Sequence, residues 1–209
     1  MVGKDEAVAE GGAMTGVRLG DGSGAVGRAG TWDAVTAGVV LARIAPGPQP
    51  PLRFFTPAEE AVAEALLDHL LARSAQDSDV PVLTVIDARL ATGEGDGWRY
   101  ADLPEDAETW RRSLAALDED ARVRCGGRGF AEAGYGDRDR LLHHVVQLGG
   151  RDWHGMPAAH VWSLWTRYAC EAYYAHPRAW DETGFGGPAY PRGYLRLGRG
   201  LREPWEEPR

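Results

Sequence analysis

The chain has 209 residues, 44% of them apolar and 26% charged, enough for one domain with a proper core and flanking arms. Its formal net charge of −8 argues against non-specific binding to nucleic acid or to an anionic membrane. Cys125 and Cys170 are the only cysteines and form no Cys-x-x-Cys, so they read as two inert thiols: a disulfide scaffold or a structural zinc site would need more ligands.

Residues 1–30 are rich in Gly, Ala and Asp without apolar periodicity and read as a flexible arm. Gly22-Ser23-Gly24-Ala25-Val26-Gly27 matches the dinucleotide fingerprint nominally. The required βαβ context is missing, because a feeble strand precedes it and a proline-rich stretch follows. A short helix is predicted from Trp32 to Arg43, with Asp33 in its first turn and Val35, Val39 and Ile44 roughly on one side. Pro46-Gly47-Pro48-Gln49-Pro50-Pro51 then makes a stiff linker that no helix crosses.

Thr56, Pro57 and Glu59 spell a capping box with proline at the first helical position. The Val62/Leu66/Leu70 stripe, flanked by Ala63, Leu67 and Leu71, carries that helix to about Arg73. Asp79 is positioned to cap a shorter helix holding Val82, Val85, Ile86 and Leu90, stopped by the glycines of Thr92–Gly97. Asp106 opens a third helix through Trp110, Leu114, Leu117 and Ala121, ended by Cys125-Gly126-Gly127. Asp137 caps a fourth through Leu141, Leu142, Val145 and Val146, ended by Gly149-Gly150. A fifth runs from near Pro157 to about Ala175 and is apolar around most of its circumference, as a helix in the middle of a bundle or under a partner would be. No stretch alternates long enough to propose a sheet. The predicted fold is all-α: an irregular bundle of about five helices, with an N-terminal arm (1–51), a helical core (52–176) and an irregular Gly/Pro/aromatic tail (177–209).

Candidate chemistry is sparse. His69, His143, His144, His154, His160 and His176 form no His-Glu-x-x-His or Glu-x-x-His pair, and the adjacent His143 and His144 point about 100° apart on a helix. Ser113 and Ser163 lie within helix patterns rather than on a Gly-x-Ser-x-Gly elbow. Acidic groups such as Glu105-Asp106 and Asp118-Glu119-Asp120 are explained by capping and solvation. No catalytic, cofactor-binding or metal-ligating residue is assigned. The aromatic residues stand out instead. Trp162, Trp165, Tyr168 and Tyr173 on the fifth helix, and Phe185, Tyr190 and Tyr194 in the tail, are the candidate anchors of a partner interface. For the helical aromatics the competing reading is plain core.

In their order along the chain, three features resemble one family. They are Phe54-Phe55-Thr56-Pro57-Ala58-Glu59-Glu60 with its Leu-rich helix; Ile86-Asp87-Ala88-Arg89-Leu90 with Leu114-Ala115-Ala116-Leu117-Asp118; and the aromatic helix followed by His176-Pro177-Arg178 and Gly184-Phe185-Gly186-Gly187. The chain so read, over about residues 52–198, resembles the small subunit (subunit 3, or gamma) of gluconate 2-dehydrogenase-type enzymes. The resemblance implies an accessory subunit without its own catalytic groups. Its partner would be a large flavoprotein of the glucose–methanol–choline oxidoreductase type holding FAD, sometimes joined by a cytochrome. In that family some small subunits carry a twin-Arg export signal. The present sequence shows no twin-Arg motif, no Sec signal and no stretch apolar enough to span a bilayer, and the corresponding expectation is a cytoplasmic complex. The other reading is a stand-alone helical enzyme or binder of carbohydrate or another small molecule. In it Trp98, Tyr100, Trp153 and His154 line a pocket, with Arg99 or Asp152 beside a stacked Trp.

Overall fold

The strongest local signal is realised in full. Thr56 has extended backbone, its Oγ1 accepts from Glu59 N at 3.3 Å, and Glu59 Oε2 accepts from Thr56 N at 2.8 Å. With Pro57 in the first turn, this box starts a helix over Pro57–Leu70. The computed structural model describes residues 25–44, 49–73, 80–190, 193–196 and 198–201. Among these residues the chain is all-α, with seven α-helices: α1 (Ala34–Ile44), α2 (Pro57–Leu70), α3 (Val82–Thr92), α4 (Asp106–Arg124), α5 (Tyr135–Leu148), α6 (Ala158–Tyr174) and α7 (Trp180–Thr183). Short 3-10 turns occupy Ala25–Thr31, Phe130–Glu132 and Pro177–Ala179. A two-residue hairpin, β1 (Asp152–Trp153) paired antiparallel with β2 (Met156–Pro157), links α5 to α6. Its strands are too short to leave a periodic signal in sequence, and His154 takes a positive φ of 51° at its turn.

Several helix starts differ from the expected ones. Asp33 lies before α1 rather than within it, its Oδ1 accepting from Val35 N (3.0 Å) and Thr36 N (3.2 Å) in the manner of an N-cap. The Thr36 hydroxyl bond, ahead of those backbone bonds, holds the Asp33 carboxyl below its ordinary value. Helix α1 buries Val40 and Ile44 and turns Val35 and Val39 outward, so the expected Val35/Val39/Ile44 face is split. Asp137 does not cap α5, which begins two residues earlier at Tyr135. The N-cap is Gly134, so Asp137 stands within the first turn, where its carboxylate faces Arg140 Nη2 (2.5 Å) and Arg128 Nη2 (3.5 Å). Asp79, Pro46–Pro48 and Gly22–Gly24 lie outside the described residues. The remainder of the fingerprint, Ala25–Gly27, begins a 3-10 turn.

Helix α6 packs against α2, α3, α4 and α5, which accounts for its nearly all-round apolar character. Trp110, Trp165, Tyr168, Phe130, Leu66 and Ile86 are among the fully buried side chains of one continuous core. Its rings meet edge to face: Phe55 with Trp110 at 6.0 Å, Trp110 with Tyr168 at 5.8 Å, and Trp165 with Trp153 at 5.6 Å. A separate small cluster of Trp32, Val40, Ile44 and Trp180 joins α1 to the segment after α6.

Candidate functional site

The aromatic residues of α6 are core first. Trp165, Tyr168 and Tyr173 are buried by the chain's own helices, which corrects their assignment as partner anchors: their surface is already covered. Their polar atoms are engaged as well. Trp165 Nε1 donates to Ser113 Oγ at 2.9 Å, Tyr168 OH to Asp106 Oδ2 at 2.7 Å, and Tyr173 OH to Glu182 Oε1 at 2.6 Å. Trp162 is half-buried against the edge of the core. Phe185, Tyr190 and Tyr194 remain open, at 39%, 67% and 55% exposure.

The segment after α6 is more ordered than a Gly/Pro-rich composition implies. His176 is buried and uses both ring nitrogens: Nδ1 accepts from Arg178 N at 3.3 Å, which leaves Nε2 to donate to Arg43 O at 2.8 Å. Trp180 packs edge-on against Trp32 (6.4 Å) and Phe185 (5.3 Å). Gly187, at φ 83°, crosses the Trp32 ring so closely that a Cβ there would lie 2.6 Å from Trp32 Cζ2. The stretches 25–44 and 177–187, expected as separate arm and tail, therefore pack on each other. Together they carry the outward-facing Val35, Val39 and Phe185, and Tyr190, Tyr194 and Leu195 follow directly in sequence. Among the described residues, five exposed large apolar side chains, Phe185, Tyr190, Tyr194, Leu195 and Leu201, fall within 185–201.

A second feature is an open cleft of about 700 Å³ between the end of α3, the link that follows it and the start of α4. It is lined by residues including Arg89, Asp96, Trp98, Arg99, Glu105 and Tyr168. Arg89 and Arg167 both pair with Asp96, Arg89 also with Glu171 (2.8 Å) and Arg167 with Asp106 (3.5 Å). Burial opposes the Arg89 charge, but its bonds to Glu171 and Asp96 outweigh this and hold the guanidinium above its ordinary value. Burial, and then the bond to Asp106 with that carboxylate's charge, push the Tyr168 phenol up. Arg167 lies 4.7 Å over the ring of the half-exposed Trp98, and Tyr100 meets Trp98 edge-on at 5.6 Å. Tyr100 also stacks on His160 at 3.7 Å, and His160 Nδ1 lies 2.8 Å from Asp102. The pocket imagined from Trp98, Tyr100, Trp153 and His154 is thus divided. The first two stand together, whereas Trp153 Nε1 (2.9 Å) and His154 Nε2 (3.0 Å) both engage Asp120 on α4. Arg99 pairs with Glu105, and Asp152 accepts from Gly155 N at 3.1 Å.

Sequence reasoning passed over the polar residues that hold these parts in place. Asp87, buried on α3, accepts from the backbone N–H groups of Arg53, Phe54 and Phe55 at 2.8, 2.9 and 3.0 Å. A carboxylate between the apolar Ile86 and Leu90 was the available sign. Ser113, Asp96 and Asp106 gave none. Among the described residues no three His, Cys, Asp or Glu side chains are grouped to hold a metal ion, and no helix is long and apolar enough to cross a membrane. Cys125 is buried, Cys170 is exposed, and both are free thiols.

The described residues thus form an all-α core that encloses its aromatic helix, with exposed rings at Phe185, Tyr190 and Tyr194 after it. The chain belongs to the Gluconate 2-dehydrogenase subunit 3 family, whose model matches residues 57–187, more than half of its length. Membership makes it an accessory-subunit type of an oxidoreductase complex. Comparisons with curated proteins and with solved structures gave no match.

Proposed function

We propose that this chain is the non-catalytic small subunit of an FAD-dependent oxidoreductase complex acting on a sugar, sugar acid or glycoside, and that it stabilises or assists the folding of a large flavoprotein subunit. The observation that carries the reading is the family match over residues 57–187, which spans every helix from α2 to α7. In this reading FAD, substrate pocket and catalytic groups belong to a partner of the glucose–methanol–choline type, with a cytochrome as a further component of some complexes. Phe185, Tyr190 and Tyr194, with the rim residue Trp162, supply the contact surface on this side. Aromatic anchors of this kind dominate the energetics of interfaces.

The test is to tag the chain in its native host, purify it gently, and record the absorption spectrum and the accompanying bands. A yellow preparation with a stoichiometric larger band is the expected result. A colourless, folded chain of 22.7 kDa on its own would overturn the proposal. The cleft beside Trp98 favours a second reading, a free-standing small-molecule binder. A panel of sugars that leaves the thermal midpoint of the isolated chain unmoved would count against it.

A further inference from the structure

The Arg89–Asp96–Arg167 cluster has a geometry that anchoring a loop does not by itself require. Arg89 comes from α3 and Arg167 from α6, and their guanidinium groups close on a single carboxylate, Arg89 on Oδ1 and Arg167 on Oδ2 of Asp96. Two guanidinium groups on the two oxygens of one carboxylate form a recognition arrangement for that anion. Two helices provide the cations, whereas the carboxylate arrives on the link Gly93-Glu94-Gly95-Asp96-Gly97. There Gly93 and Gly97 take left-handed backbone (φ 70° and 77°), and Glu94 is exposed. Asp96 is therefore the side chain that ties this glycine-rich link to the helical core. Were it to leave, Arg89 would keep Glu171 and Arg167 would keep Asp106, so the two cations would stay in place. The adjoining cleft of about 700 Å³ offers Leu90, Ala107, Tyr168 and the half-exposed ring of Trp98 to the body of a small organic molecule.

We propose that Arg89 and Arg167 form a carboxylate-binding site opening on the α3–α4 cleft, which the chain fills with its own Asp96 until a carboxylate-bearing ligand displaces it. The ligand class is a monocarboxylate whose carbon skeleton rests against Trp98. With Asp96 in place the cleft lining holds Glu94, Asp96, Glu105 and Asp106 against Arg89 and Arg99, which opposes anion entry. A tethered carboxylate also competes at an effective concentration in the millimolar range or above. Wild-type affinity for a free acid is accordingly weak, and removing Asp96 strengthens it. The same carboxylate chemistry is offered by a free acid and by the C-terminus of a polypeptide.

The experiment uses the full chain as wild type, as Asp96→Ser and as Asp96→Ser/Arg167→Gln. Each is titrated at constant ionic strength with acetate, with acetyl-diglycine and with acetyl-diglycine amide, following tryptophan fluorescence and thermal midpoint. The expected result is binding of a free carboxylate about tenfold or more tighter in Asp96→Ser than in wild type, as removal of an intramolecular competitor predicts. It is abolished by the added Arg167→Gln and absent for the amide. Response to both acetate and acetyl-diglycine assigns the site to free acids, and response to acetyl-diglycine alone assigns it to a polypeptide terminus. A folded Asp96→Ser that binds no better than wild type overturns the proposal. Wild-type protein gives a readout that does not depend on any variant folding: backbone amides of residues 93–98 must exchange hydrogen faster in high acetate than in matched chloride. Unchanged exchange also overturns it. Neither measurement involves a flavoprotein, so their outcome is separate from that of co-purification.

Discussion

Replacing Asp87 isolates one joint of the fold and puts a number on it. Its carboxylate is 3% exposed; Oδ1 accepts from Phe54 N and Phe55 N, and Oδ2 from Arg53 N. These three N–H groups precede α2 and have no helical acceptor, so Asp87 ties the entry of α2 to the middle of α3. Arg111 secures the same turn, its Nη2 donating to Phe54 O at 3.1 Å while the guanidinium lies 4.3 Å over the Phe54 ring. Asp87→Ala leaves the Phe54 and Phe55 N–H groups buried without acceptors, at about 1–3 kcal/mol each, while water can still reach the exposed Arg53. Release from desolvating the carboxylate offsets part of these roughly 2–6 kcal/mol, for a net loss of about 2–5 kcal/mol. Asp87→Asn can keep the Phe54/Phe55 pair on its remaining oxygen but turns an amide N–H toward Arg53 N–H, a loss of about 2 kcal/mol.

In thermal unfolding followed by circular dichroism, the alanine variant should lose roughly 4–20 °C and the asparagine variant less, at about 2–4 °C per kcal/mol for a chain of this size. Hydrogen exchange should quicken first at Phe54 and Phe55. An alanine variant within about 1 kcal/mol of wild type, or an asparagine variant as damaged as alanine, would refute the assignment of these bonds as the joint.

Tyr168→Phe should lose about 1–3 kcal/mol at neutral pH, because a hydroxyl bond to the Asp106 carboxylate disappears. The folded-state phenol lies above its unfolded value of 10.0, so its stabilisation is complete below that pH and is lost as pH rises toward the folded value. Wild-type urea midpoints should therefore fall more steeply than those of Tyr168→Phe above pH 10.0, and parallel profiles would contradict this. Ser113→Ala strands the buried Trp165 Nε1 and should cost about 1–3 kcal/mol in the same assay, whereas Ser113→Thr should cost less if its hydroxyl keeps the bond. Gly187→Ala should loosen the packing of α1 on 177–187, since it combines strained backbone with a Trp32 clash. Limited proteolysis should then cleave near residues 33–44 sooner than in wild type. The double substitution Tyr190→Ser/Tyr194→Ser should leave the unfolding midpoint within a few degrees of wild type, as exposed positions usually do, while lowering recovery of the large partner on co-purification.

Features signalled by residues within one turn of each other were legible in the sequence. The capping box of α2 needs only Thr56, Pro57 and Glu59, and the stop of α3 needs only the left-handed Gly93. Asp137 misled because α5 starts before it, at a Gly134 N-cap that offers no side-chain signal, which leaves the aspartate inside the first turn. Helix α6 was legible as enveloped, but apolar periodicity cannot say whether its cover comes from the same chain or another. Here α2, α3, α4 and α5 provide it, and only Trp162 of the four proposed helical anchors stays at the rim. A bond that bridges a long separation, such as Ser113 to Trp165, leaves no local pattern, and the Asp87 bond to Phe54 shows only as a carboxylate among apolar neighbours.

The segments through which the chain resembles its family turn out to meet in space. Phe54-Phe55 is held by Asp87 of the Ile86–Leu90 stretch, and Arg89 of that stretch reaches Glu171 on the aromatic helix. His176, held by the Arg178 N–H, fastens the end of that helix to Arg43 O, and Gly187 closes over Trp32. The polar atoms at these joints engage backbone or an opposite charge within the chain, so what they specify is the relative placement of helices. A partner would then meet a shape set by these joints and read it through side chains outside them, Tyr190 and Tyr194. That division predicts two kinds of variant. Substitutions at Asp87, His176 or Gly187 should lower stability and partner recovery together, whereas substitutions at the exposed rings should lower recovery alone. Measuring the unfolding midpoint and the yield of complex on the same variants separates them, and a stability loss at the exposed rings as large as at Asp87 would show that the joints and the contact surface are one structure.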